Sequence, residues 1–139
     1  MNGFGAGDRL EGGPHGRPGP PPAVDPSVLR GLGEALDDVD GQIVRELVAL
    51  YHAQAADLAA DITEAARRGD ATTLAFAAHS LKGSSANVGA RRLADMCAAL
   101  EHWTGAPPDL AARAAAVEVE VSVVRVQLGE LLQALNSQT

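Results

Sequence analysis

Between Asp70 and Asp95 the chain carries one histidine, His79. It stands three residues ahead of the only lysine, Lys82, and four ahead of Gly83, in the run "AFAAHSLKGSSANVGA" from Ala75 to Ala90. A neutral imidazole, with an unperturbed pKa near ~6.5, is a nucleophile at neutral pH and can take a phosphoryl group on a ring nitrogen. Phosphoryl transfer asks a protein mainly for positioning, access and a cation near the phosphoryl oxygens. Lys82 offers that cation as a compact ammonium one helical turn from the imidazole. A glycine costs a helix interior about 1 kcal/mol relative to alanine, so Gly83 on the same face points to access that a side chain would block. No acidic residue lies between Asp70 and Asp95, whereas Lys82, Arg91 and Arg92 are basic. The segment therefore reads as a locally positive patch around the histidine.

A helix must hold these groups. At 100° per residue, Leu74, Ala77, Ala78, Leu81, Ser84, Ser85 and Val88 gather on one side, and His79 projects roughly 160° from their centre. His79 is thus expected at the surface, among Thr72, Ala75, Gly83 and Ala86, with Phe76 one turn before it and Lys82 one turn after. Upstream, Asp25 as N-cap and Pro26 at the first helical position open a short helix. A long second helix follows from Asp40 as cap, with Ile43, Leu47, Leu50, Tyr51, Leu58 and Ile62 at helical spacing. Gly69 stops it and Asp70 caps the third helix, which runs to about Val88. Gly89 breaks the chain before a fourth stripe of Leu93, Met96, Cys97 and Leu100, reaching Trp103. Leu110, Val117, Val121, Val124, Leu128, Leu131 and Leu135 form the last stripe. Its "VEVEVSVVRV" alternates like a strand, but no partner strand exists elsewhere. The expected fold is all-α: an antiparallel four-helix bundle with a short additional N-terminal helix.

Composition agrees with that architecture and narrows the function. Of 139 residues, 46% are hydrophobic and only 3% aromatic, which suits one core of Ala, Leu and Val between closely packed helices. Residues 1–24 hold seven glycines and five prolines, a composition expected to form a disordered tail, with the folded domain spanning 25–139. A formal charge of -7 opposes binding to nucleic acid or to an anionic membrane surface. There is neither a signal-peptide h-region nor an apolar run near the ~20 residues of a membrane span, so the cytoplasm is expected. The lone Cys97 has no disulfide partner in the chain and fits a core position. A kinase or phosphatase fragment is disfavoured because no P-loop, Gly-rich nucleotide loop or carboxylate cluster for magnesium occurs. No cofactor or metal is expected; His52 and His102 lack a ligand partner at i, i+4 and read as structural.

His79-Ser80-Leu81-Lys82-Gly83-Ser84-Ser85, followed by Val88-Gly89-Ala90, resembles the signature of the histidine-containing phosphotransfer (HPt) domain, and the helix order from about Asp25 onward is similar too. The resemblance implies a phosphocarrier without turnover of its own. His79 would take a phosphoryl group from an aspartate of one response-regulator receiver domain, such as that of a hybrid histidine kinase, and pass it to another in a multistep phosphorelay. Lys82 and Gly83 match the family's assisting lysine and access-giving glycine. Ala75, Phe76, Ala86, Arg91 and Arg92 form the candidate partner surface of a monomer, although two arginines at such a place more often make a solvated first turn. Family members often orient the imidazole with a glutamine on the next helix; here Glu101 and His102 stand near that place. The alternative is a helical adaptor that binds receivers without accepting phosphate.

Overall fold

The computed structural model describes residues 22–104 and 107–137, which form five helices: α1 (Pro26–Ala35), α2 (Gln42–Arg68), α3 (Ala71–Asn87), α4 (Arg91–Glu101) and α5 (Pro107–Ser137). No strand occurs among the described residues. The alternating "VEVEVSVVRV" is helical because Val117, Val121 and Val124 recur on one face and are buried, whereas Val119 points out. The fold is all-α, as expected from the helical periodicity. α3 packs against α2 and α4, and α5 packs against the same two helices, so α3 and α5 lie diagonally across the bundle.

Local chemistry sets the helix ends. Asp25 caps α1, its Oδ1 accepting from the Ser27 amide at 3.0 Å and the Ser27 hydroxyl at 2.7 Å. At α2 the cap residue is Gly41 in the left-handed region, one place after the expected Asp40. Its first amides are met instead by Asp40, which accepts from Gln42 at 3.1 Å, and by the Asp38 carboxylate, which accepts from Ile43 and Val44 at 3.1 and 3.0 Å. Gly69, at φ 72°, closes α2, and Asp70 caps α3 through the Thr73 amide at 3.1 Å. α4 stops at Glu101, short of the expected Trp103.

The core differs from the expected one on α2. Val44, Val48, Tyr51, Ala55, Ala59 and Ile62 face inward, while Ile43, Leu47 and Leu50 are exposed. Two stripes one residue apart both satisfy helical spacing at the start of α2, and the inner one is completed by alanines that carry little hydrophobic signal. The buried Tyr51 hydroxyl lies 3.0 Å from Ser85 Oγ, which satisfies both groups across the α2–α3 interface.

The expected boundary between tail and domain is also corrected. Ala23 and Val24 are both 2% exposed. The Val24 amide donates to Gln127 Oε1 at 2.9 Å, and the Asp25 amide donates to the Gly89 carbonyl at 2.9 Å. These two apolar residues follow a proline run and show no period of their own, yet the hydrogen bonds of the Val24 and Asp25 amides hold the segment against the core. Residues 1–21, the rest of the expected tail, lie outside the described residues.

Candidate functional site

His79 stands on the outer face of α3 with 67% of its side chain exposed. Its position follows from the opposite face: Leu74, Ala77, Ala78, Leu81 and Ser85 are buried against the bundle and fix the rotation of the helix. Glu101, the last residue of α4, reaches it from the neighbouring helix. Glu101 Oε2 is 2.7 Å from His79 Nδ1, and Oε1 forms an ion pair with Lys82 Nζ at 2.5 Å. Of Glu101 and His102, then, Glu101 holds the imidazole, and His102 is exposed at the helix end.

That carboxylate decides which ring nitrogen can react. Lys82 first and His79 second hold the Glu101 carboxyl below the usual carboxylate range, against the opposing effect of burial. The stability it contributes is present above the ordinary carboxylate pKa and lost as pH falls through the lowered value. An ionised carboxylate only accepts hydrogen bonds, so Nδ1 is the donor, and in the neutral ring Nε2 carries the lone pair. The nitrogen that keeps its lone pair is the one not engaged by the protein.

Access to it is open. Phe76 is 71% exposed, Ala86 and Gly83 are exposed, and Ala75 is half-buried. A Cβ built on Gly83 would meet nothing within 4 Å, so nothing among the described residues requires glycine there. Below these residues, Leu32, Leu36, Leu47 and Leu50 line an apolar groove with Ser84 and Asn87 of α3.

The locally positive patch does not survive folding. Lys82 pairs with Glu101, Arg91 lies 3.4 Å from Asp25, and Arg92 forks onto the buried Glu120 at 3.0 and 3.2 Å. Each acid comes from a segment remote in sequence, which is why a window from Asp70 to Asp95 misses all three. Arg92 thus ties α4 to α5, and the two expected docking arginines have partners inside the chain. Ser85 likewise serves the core through Tyr51.

The remaining candidates lie elsewhere. Cys97 is buried, and burial above all, with Glu101 nearby, pushes its thiol up to about 12. His52 is half-buried on α2, where burial and then Arg125 lower its pKa. Among the described residues no group of three His, Cys, Asp or Glu side chains could hold a metal ion, and no helix is long and apolar enough to cross a membrane.

Comparison with known proteins places the α3–α4 helix pair in a known family. The family model of the Hpt domain matches residues 46–138, two thirds of the chain and all of α3 and α4. The fold is similar to the crystal structure of histidine-containing phosphotransfer protein B (HptB) from Pseudomonas aeruginosa PAO1. The TM-score is 0.67 at 29% identity, over 81% of this chain and 96% of that one. No curated protein sequence matches the chain. With an exposed histidine held by a carboxylate on the next helix, beside an unobstructed glycine, the chain belongs to the Hpt domain family of phosphorelay proteins.

Proposed function

We propose that His79 accepts a phosphoryl group from the aspartyl phosphate of one receiver domain and hands it to an aspartate of another, in the cytoplasm, as a carrier rather than a catalyst. The observation that carries this reading is the 2.7 Å contact of Nδ1 with Glu101, which leaves Nε2 free on an exposed face. In the forward step the Nε2 lone pair attacks phosphorus, a P–N bond forms, the P–O bond to the aspartyl carboxylate breaks, and the aspartate leaves as carboxylate. The ring then bears positive charge with its Nδ1 proton facing Glu101, so the carboxylate offsets charge that develops during transfer. Transfer to the second receiver reverses these steps. Lys82 rests on Glu101, and its flexible stem lets the ammonium swing to the arriving phosphoryl oxygens.

The receiver docks, on this reading, over Ala75, Phe76, Gly83 and Ala86 and the apolar groove that Leu36, Leu47 and Leu50 open beside α3. A large exposed apolar patch on a small chain is the ordinary mark of a partner surface. Gly83→Gln tests access directly. Open space around the glycine and the better helix propensity of glutamine predict an equal or higher melting temperature, together with slower transfer from a phosphorylated receiver. Normal transfer by the folded variant would make the glycine incidental.

Lys82→Ala tests the cation. Loss of about 1.4 kcal/mol of transition-state stabilisation would slow transfer about tenfold, with Lys82→Arg recovering part of it. Stopped-flow transfer rates, taken beside thermal melts, separate this from a structural loss. An unchanged rate reduces Lys82 to the partner of Glu101 alone. Receiver binding without any acid-labile label on His79 would replace the carrier by an adaptor.

A further inference from the structure

The outer face of α5 carries an apolar stripe that no described residue covers. Val119 and Val126 are 66% and 63% exposed, and Ala112 and Ala116 continue the stripe, also exposed. The exposed charges along this helix are, in order, Arg113, Glu118, Arg125 and Glu130, after Asp109 in the first turn. Their signs are antisymmetric about a point between Val121 and Ser122. Arg113 and Glu130 are equidistant from it, as are Glu118 and Arg125, and each pair is opposite in sign. Helical periodicity puts Glu118 and Arg125 on one flank of the stripe, Arg113 on the other flank, and Glu130 on the stripe itself, in line with Ala112.

In a two-fold pairing of antiparallel helices, residue i meets j while j meets i, and each flank faces the same flank of the other copy. A second α5 laid antiparallel therefore sets Glu118 against Arg125 twice and brings Arg113 level with Glu130 twice, with Val119 and Val126 of the two copies offset by two residues. Parallel pairing would swap the flanks, take Glu118 away from Arg125 and set Glu130 against its own copy. Inside the chain, the described residues provide no ion pair for Glu118, Arg125 or Glu130, and the Arg113 guanidinium lies 4.9 Å over the Trp103 ring. We infer that this face of α5 joins two copies of the chain through antiparallel pairing.

Such a pairing differs from the single copy expected from the sequence and is independent of the proposed phosphoryl transfer. Because α5 lies diagonally across the bundle from α3, it leaves both copies of His79 exposed. With two exposed valines per copy and charges at the rim, the association is weak and sensitive to salt.

Sedimentation equilibrium of the full chain, from about 1 μM to about 1 mM, tests this. The expected result is a monomer–dimer equilibrium that weakens with added salt. Arg125→Glu, which sets like charges together, weakens it about tenfold or more. Adding Glu118→Arg to that variant restores the antisymmetry and should restore the dimer, with helical circular dichroism confirming that each variant is folded. Val119→Asp, at an exposed position, should dissociate the pair without changing the helical signal. A monomer across the whole range overturns the inference, as does a dimer indifferent to Arg125→Glu or to Val119→Asp.

Discussion

His79→Gln is expected to abolish acid-labile labelling by a phosphorylated receiver while leaving the melting temperature within a few degrees of the parent. The two halves rest on different observations. Labelling is lost because glutamine offers no nucleophilic ring nitrogen, and among the described residues no other histidine combines exposure with the support found here. His52 is half-buried, and the carboxylate and lysine pair of Glu101 and Lys82 serves His79 rather than His102. Stability is kept because the side chain is 67% exposed and glutamine is at least as good a helix former as histidine. The glutamine amide can also still donate to Glu101, so the carboxylate and Lys82 keep a neighbour of similar reach. Label that persists on the folded variant would move the site to another residue, and a collapsed melt would make His79 part of the architecture.

That experiment bears on a part of the molecule that can be read from its sequence. α3 is legible because its inward face is continuous: once Leu74, Ala77, Ala78, Leu81 and Ser85 are turned to the core, His79, Lys82 and Gly83 have nowhere to go but outward. The junction at Gly69 and Asp70 is legible for a similar reason, since a left-handed glycine and a capping carboxylate act within one turn of themselves. What is illegible is carried by partners far away in the chain. The charge of the His79 segment looks positive because Glu101, Asp25 and Glu120 lie outside it, and only the folded chain brings them to Lys82, Arg91 and Arg92. The rotation of α2 fails locally because Ile43, Leu47 and Leu50 are as apolar as Val44, Val48 and Tyr51 beside them, and the inner stripe continues through weakly apolar Ala55 and Ala59. The exposure of Ile43, Leu47 and Leu50 is better explained as a surface that partners use than as a core, which ties a misread helix to the proposed docking groove. Ala23 and Val24 are hidden by their neighbours' composition, their burial depending on Gln127 and Gly89 a hundred and some sixty residues away.

Gly89 supports the largest expected effect on stability, and its contrast with Gly83 separates two reasons for glycine in one motif. Gly89 sits between α3 and α4 at φ 86°, a conformation that L side chains rarely adopt. A Cβ there would lie 2.7 Å from the Asp25 carbonyl oxygen and 3.1 Å from Val28 Cβ, both at the start of α1. The same glycine accepts the Asp25 amide at 2.9 Å, so the contact that a methyl group would break is also the one that seats Val24 and α1 on the bundle. Gly89→Ala therefore carries a left-handed backbone penalty of about 1–2 kcal/mol and a packing conflict of about 1–3 kcal/mol. A combined loss of about 2–5 kcal/mol should lower the melting temperature by about 10–20 °C. Gly83→Ala, with open space at its Cβ and no positive φ, should instead melt at or above the parent temperature. Below its melt, the Gly89 variant should still accept phosphoryl groups on His79, because the α3–α4 contact that carries Glu101 lies at the other end of α4. Equal melts for Gly89→Ala and the parent would mean that α1 can leave the bundle at no cost, and would remove it from the structural support of the docking groove.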